Sequence, residues 1–443
     1  VENCCVSDEQ PLDNAAFAKV ALGYLRERLV GLDLVYEEDD NALRDASGQS
    51  EMTHYLDNAR AEFNAADSEQ RQAILERMGN IIERSLAGPA DEPTFLSVAE
   101  RLLPRALDRS YVVQMSLLGR LQRAKGESDT GVRLASEPFL DHHSTGLVVD
   151  DLESMRYVME SDLEDWGVSF AECRDYALRN LDILSEEPMA VLFPGVFDSP
   201  WKDNHDSSRI YLGRILDGVE VRGRRVIAIP NRDHLLVTGS EDEEGLRLLA
   251  EKIDELAQEP RFAGGDVYIE TDEAPGWVPW RPDEPEDLRR HFDLIEVQTV
   301  LFRLEGQKDL LESIHEAESV DIFVGDLHVL QNAQTGKLSS WASWAKGVHS
   351  FLPEADLYAV EAVTAPSVVE DAPRGLLLRA LGRKPQTREV VDEDARFVPR
   401  EALFREAGEL LRPVEGSFPP LWETLGDPEG EVVDRLRPHL CGL

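Results

Sequence analysis

The stretch RVIAIPNRDHLLVTGS, Arg225 to Ser240, carries the fold class. Two apolar runs, 226–229 and 235–237, flank Pro230-Asn231-Arg232-Asp233. Pro presets φ, and Asn and Asp side chains cap bends, so these four residues read as a tight turn. A turn this short joins antiparallel strands, because a parallel crossover takes a dozen or more residues. Outward from this hairpin, at 225–238, the pattern predicts a strand over 189–197 and a helix over 207–217. A second helix follows over 241–258, opened by Ser240 with Glu243 as reciprocal cap. Leu246, Leu249, Ile253 and Leu256 form its inner stripe. This order predicts an α+β fold in which helices pack on small antiparallel sheets.

The flanks extend the pattern. Phe17, Val20, Ala21, Tyr24 and Leu25 mark an amphipathic helix over 13–29. Short strands are expected at 32–37 and 41–45, and helices at 54–64 and 68–84. The last opens with Asp67 and Gln70 in capping-box positions and turns Ile74, Leu75, Met78, Ile81 and Ile82 inward. A strand is expected at 146–149. Ser161 with Glu164, and Ser169 with Glu172, read as two further capping boxes. Gly167 ends the first of those helices, and the second buries Phe170, Cys173, Ala177, Leu181 and Leu184. The segment 285–316 reads as helix, with a strand at 294–304 as the alternative. Strands follow at 320–331, 337–342 and 356–363, with Gln334-Thr335-Gly336 as a turn. From Pro366 onward lie 9 of the 24 prolines, which predicts an extended C-terminal extension holding a helix such as 400–412. Four segments result: an N-terminal α/β module (1–125), a central α+β module (132–275), a helix plus β-meander module (285–365) and a Pro-rich tail (366–443).

Composition bounds the function. A length of 443 residues suggests two or three domains, and 42% hydrophobic residues supply enough apolar surface for sizeable cores. The net charge of −41 argues against nucleic acid, whose binding is driven by clustered Lys and Arg. It argues equally against an anionic membrane surface. Of the 46 basic residues only 8 are Lys. Acidic, Lys-poor composition fits either adaptation to salt or a coding bias toward Arg. Salt adaptation implies carboxylate repulsion that weakens the fold at low ionic strength. A melting temperature that climbs from low to molar KCl is the expected sign, and one insensitive to salt leaves coding bias. Cys4, Cys5, Cys173 and Cys441 form no CxxC or disulfide ladder, so a reducing compartment is expected. No apolar run approaches a membrane span and no signal peptide is visible, so a cytoplasmic protein is expected.

Several strings carry candidate chemistry. Asp141-His142-His143 spells the signature tripeptide of a phosphoesterase superfamily that binds paired metals, but the other ligands of such a site are missing from the sequence. These three are the best metal candidates, set against an ordinary polar loop. Val237-Thr238-Gly239-Ser240 ends a strand and opens a helix, as phosphate cradles do, yet the acidic first turn 241–244 repels anions. His205-Asp206-Ser207-Ser208 places Ser, His and Asp close together, but GxSxG is absent and a helix cap explains the serines. No cofactor is expected. Trp341 and Trp344, like Trp277 and Trp280, stand among Pro, Gly and Ser, where aromatics line grooves or fill cores. Arg232 and Asp233 occupy the hairpin tip, where a planar guanidinium fork suits a carboxylate or phosphate. The competing reading is a surface ion pair.

The ordered strings Tyr55-Leu56-Asp57-Asn58, Met155-Arg156-Tyr157-Val158, Asp162-Leu163-Glu164-Asp165-Trp166-Gly167, Ala177-Leu178-Arg179-Asn180-Leu181, Ile229-Pro230-Asn231-Arg232-Asp233 and Ser340-Trp341-Ala342-Ser343-Trp344 resemble the YtpQ-like family. They span roughly residues 12–365. The resemblance implies an intracellular bacterial α+β protein and brings no catalytic residues. Together these readings lead to a non-enzymatic binding or chaperone-like protein acting on a protein or small ligand. Its partner-binding candidates are Arg232, Asp233, Trp341 and Trp344. The alternative is a metal- or carboxylate-dependent hydrolase anchored on Asp141, His142 and His143.

Overall fold

The central hairpin forms as expected: strands Arg225–Asn231 and His234–Gly239 pair antiparallel in the computed structural model. Described are residues 11–38, 41–46, 54–86, 93–127, 132–151, 154–259, 261–273, 276–331, 337–361, 368–373, 387–391 and 396–442. The chain is α+β and divides into two compact units, Val1–Val98 with Asp150–Arg156, and Ala99–Val149 with Tyr157–Leu443. Among the described residues no helix is long and apolar enough to cross a membrane. Cys4 and Cys5 lie outside the described residues, and Cys173 is a buried core residue.

In the first unit, helices Asn14–Arg28 and Ser68–Leu86 and a three-stranded antiparallel sheet enclose a core around Phe17, Leu25, Leu43, Leu56 and Ile82. The Asp67 carboxylate accepts from the Gln70 amide at 2.9 Å and the Gln70 side chain returns the bond at 3.1 Å, which is the expected capping box. Ile82 points inward as the periodicity requires, whereas Ile81, one residue round the helix, faces water.

In the second unit, strand Leu102–Asp108 pairs along its whole length with His143–Asp151. A domain boundary at 125 would separate these two partners, so residues 99–124 belong with this sheet and not with an N-terminal module. A six-stranded antiparallel sheet runs in the order Trp277–Pro279, Val267–Glu270, Arg225–Asn231, His234–Gly239, Val196–Asp198, Ala190–Phe193. The strand expected over 189–197 is in fact a small hairpin turning at Gly195, whose φ is +79°. Helix Glu243–Leu256 lays Leu246, Leu249, Ile253 and Leu256 on one face of the sheet, beside Phe292 and Ile295 of the long helix Glu286–Glu318. The helix expected over 207–217 is a 3-10 turn, Asp206–Tyr211, followed by the short helix Gly213–Asp217.

The C-terminal stretch differs from the expected extension. Strand Leu421–Thr424 pairs with Ser350–Pro353, and Val398–Pro399 pairs with Leu357–Val360. Helices Arg400–Ala407 and Glu431–Leu436 contribute Leu403 and Leu436 to one core with Trp344, Tyr358 and Leu421. Three of the described prolines sit where an N–H is dispensable. Pro399 caps a helix start, Pro413 ends a strand, and Pro420 directly precedes another. High Pro density here marks short elements with sharp ends. Strands Val368–Pro373 and Thr387–Val391 pair antiparallel, and the turn expected at Gln334-Thr335-Gly336 lies outside the described residues.

Candidate functional site

The long helix buries Ile295, Thr299, Arg303, Gln307 and Leu311 at successive i, i+4 positions. Three polar residues in the middle of a buried stripe must find partners, since an unpaired polar group in the interior costs about 1–3 kcal/mol and a charge more. Thr299 Oγ1 accepts from the Gly265 amide at 2.9 Å. Gln307 accepts from the Phe418 amide at 2.8 Å and donates to the Pro419 carbonyl at 3.1 Å. Arg303 takes two carboxylates. Its Nε donates to Asp108 Oδ2 at 2.9 Å and its Nη1 to Asp266 Oδ1 at 3.0 Å, while Nη2 bridges both acids.

Local structure delivers these acids. Asp108 ends strand Leu102–Asp108 and caps helix Arg109–Ala124 by accepting from the Ser110 amide at 2.7 Å. Asp266 precedes strand Val267–Glu270 and follows Gly264-Gly265. A Cβ on Gly264 would lie 2.6 Å from Arg303 Nη2, and one on Gly265 would lie 2.3 Å from Ile295 Cγ2. Only glycines let the backbone approach the helix closely enough to place Asp266 beside Arg303.

Two histidines complete the cluster. His143 stands opposite Asp108 in the strand register. It is buried, with Nδ1 3.0 Å from the Tyr268 hydroxyl, and its Nε2 finds no hydrogen-bond partner among the described residues. Burial pushes its pKa down and keeps the ring neutral. His142 occupies the preceding turn with Nδ1 2.7 Å from Asp266 Oδ1. Burial alone would lower its pKa, but the hydrogen bond and charge of Asp266 outweigh that and raise it. Burial acts on Asp266 in the opposite sense, yet Arg303 and His142 hold its carboxyl well below the usual range. With His142 protonated, two carboxylates face one guanidinium and one imidazolium, and the buried charge closes at zero.

The ligand atoms of Asp108, His143 and Asp266 lie within 4.8 Å of one another, a spacing that suits a divalent cation. Arg303 answers against it. Its guanidinium already spans both carboxylates. Two further positive charges beside it would leave the interior overcharged, so these residues do not fit a metal while Arg303 is in place.

His142 also lines a half-open pocket of about 440 Å³, with Asp266, Trp280, Arg281, Phe292 and Glu296. Trp280 and Phe292 form an apolar wall. Arg281 Nη1 lies 2.8 Å from Asp293 and 2.7 Å from Glu296. Loss of water around Glu296 pushes its carboxyl up against the pull of Arg281. The result is an aromatic slot with a carboxylate-held imidazole and a guanidinium at its polar edge, a common form for small-ligand sites.

The candidates read from sequence divide. His142 and His143 come together in the cluster. Asp141 does not: its side chain is exposed at the turn, and its carbonyl accepts from Arg109 Nη1 at 2.8 Å. Arg232 and Asp233 sit at the hairpin tip. Arg232 Nη2 donates to Asn204 Oδ1 at 2.6 Å and Nε lies 3.5 Å from Asp233, so the guanidinium is engaged within its own loop system. Trp341 and Trp344 are buried at 3% and 1% exposure. Trp341 stacks on His328 at 4.6 Å and meets Phe397 edge-on, while Trp344 fills the C-terminal core. Both rings are core fillers and present no face to a partner. Ser207 and Ser208 are buried, not helix caps, and Ser208 Oγ accepts from the Ala106 amide at 3.2 Å. A Cβ on Gly239 would lie 2.1 Å from the Arg222 carbonyl oxygen, so that helix entrance is closed to phosphate.

The two histidines set opposite pH limbs. The raised His142 stabilises the fold fully below its ordinary value of 6.5, and that contribution fades as pH rises through the elevated one. The lowered His143 contributes above 6.5, and its contribution fades as pH falls through the depressed one. Urea denaturation across this range is expected to show greatest stability near 6.5 from these two groups. His142→Gln is expected to flatten the alkaline limb and leave the acid limb. An unchanged alkaline limb in the variant contradicts the assignment.

No family model, curated protein or solved structure matches this chain.

Proposed function

We propose that the chain is a non-enzymatic binding protein that takes a small ligand in the pocket above His142. The observation that carries this reading is the composition of the pocket wall. Trp280 and Phe292 offer apolar area, His142 and Arg281 offer oriented donors, and the described lining residues include no Ser, Thr or Cys nucleophile. Holding Nδ1 of His142 on Asp266 leaves Nε2 for a ligand. A thermal-shift panel of small polar aromatics against the full chain tests this. A stabilising compound is expected to lose at least about tenfold in affinity, roughly 1.4 kcal/mol, in Trp280→Ala and in His142→Gln. A panel without any saturable binder, or a binder indifferent to both changes, overturns the reading.

The same Asp266–His142 pair favours one second reading, a hydrolase in which Nε2 takes a proton from water once the ring is neutral, above the raised His142 pKa. Stoichiometric Mn or Zn in the purified protein would favour the metal-dependent form of that reading, and its absence leaves the carboxylate-held histidine alone. The resemblance to the YtpQ-like family stays part of the proposal, and with it a cytoplasmic location and a protein or small-ligand partner.

A further inference from the structure

The six-stranded sheet ends in a strand that pairs on one side only. Ala190–Phe193 bonds to Val196–Asp198 and has no strand beyond it among the described residues. One cross-strand row runs Tyr268, Ile227, Val237, Phe197, Val191. The first three are fully buried, Phe197 is half-buried, and Val191 is 67% exposed. The row therefore loses its cover toward the open edge. Phe193, which stands opposite Val196 across a bulge and so on the other face from Val191, is exposed too, and so are Ile183 and Leu184 just upstream. Natural sheets blunt such edges with short strands, bulges, charges or prolines. Ala190-Val191-Leu192-Phe193 is short and bulged at Leu192 but carries no charge and no proline, so Ala190 and Val191 stay open to a partner.

Charge supplies the second half of the argument. Glu186 and Glu187, immediately before the strand, are exposed, and neither pairs with a cation among the described residues. We propose that Ala190–Phe193 is the docking edge for an extended segment of another protein, with alternating apolar residues and Lys or Arg at its C-terminal end. Strand addition gives main-chain hydrogen bonds, and alternate side chains give selectivity. Every neighbouring pair in this sheet is antiparallel, so an added strand runs antiparallel to 190–193. Its C-terminal end then lies beside Glu186 and Glu187, which is where its cations belong. A second copy of this chain fits less well. It would bring another net charge of −41, and paired edge to edge it would set Pro194-Gly195, not a cation, beside the two glutamates.

The probe is a fluorescein-labelled octapeptide, Thr-Val-Thr-Val-Ser-Val-Lys-Arg, titrated against the full chain by anisotropy. Two control peptides carry Glu-Glu in place of Lys-Arg, or Lys-Arg moved to the N-terminus. Saturable binding is expected, weakened at least tenfold for both controls and for the Val191→Lys chain. Val191→Lys lies on the surface, and unchanged circular dichroism and melting temperature show that its fold is intact. The proposal is overturned by no saturable binding below about 1 mM, or by equal binding of either control or of Val191→Lys. It is also overturned by a wild-type dimer in sedimentation that Val191→Lys dissolves, which would make the edge a self-association surface.

Discussion

Arg303→Ala is expected to cost about 3–5 kcal/mol of folding stability, because it leaves two buried carboxylates without their cation. Asp108 and Asp266 both lose their guanidinium donors, and His142 alone cannot serve both. Arg303→Lys is expected to recover only part of the loss, since an ammonium lacks the fork that spans two acids. Urea denaturation of the full chain reads the difference. The triple change Arg303→Met, Asp108→Asn, Asp266→Asn is expected to be milder than Arg303→Ala, because no carboxylate is then left unpaired and His142, without Asp266 to hold its charge, sheds its proton. A loss under about 1 kcal/mol for Arg303→Ala would mean that water reaches the acids, as at an ordinary surface pair.

Removal of residues 366–443 is the second large effect. From the sequence, a chain ending near 365 is predicted to stay folded. The structure reverses this. Phe397, Val398, Leu403, Leu421 and Leu436 are almost fully buried. At roughly 1.5–3 kcal/mol for each buried side chain of this size, the five contribute on the order of 10 kcal/mol. That is comparable to the whole stability of a typical domain, about 5–15 kcal/mol. Strands 350–353 and 357–360 would also each lose one of their two neighbouring strands. The shortened chain is expected to be insoluble, or to bind hydrophobic dyes and show no near-ultraviolet circular dichroism. A soluble product with a cooperative melt would contradict this packing.

Local signals made much of the fold legible. Ser169 and Glu172 form the reciprocal cap that their spacing announces, with the Ser169 amide donating to Glu172 at 2.9 Å. Gly167 ends the helix before it in the left-handed conformation. Two other caps are displaced by two residues. Asp162 caps at Met159 in place of Glu164 at Ser161, and Asp242 accepts from Gly245 where Ser240 and Glu243 were expected. Neighbouring acids at an entrance compete for the same amides, and tertiary packing selects among them. The Pro-rich stretch misled because Pro counts local breaks and carries no information on long-range pairing. The site was legible only at His142 and His143. Asp108 and Arg303 lie 195 residues apart, and nothing in either neighbourhood names the other. The available signal was Thr299, Arg303 and Gln307 on a stripe otherwise apolar, which demands buried partners without saying where they are.

An imidazole NMR titration of the full chain separates this account from its alternatives in one experiment. His142 is expected to titrate above 6.5, to shift further when a pocket ligand binds, and to be the ring whose signals vanish in His142→Gln. His143 is expected to titrate below 6.5, after His142 as the pH falls. If both rings titrate together near 6.5, or if His143 protonates first, the closed Asp108–Arg303–Asp266 cluster does not form. The pocket would then lack the carboxylate-held histidine on which its proposed function rests.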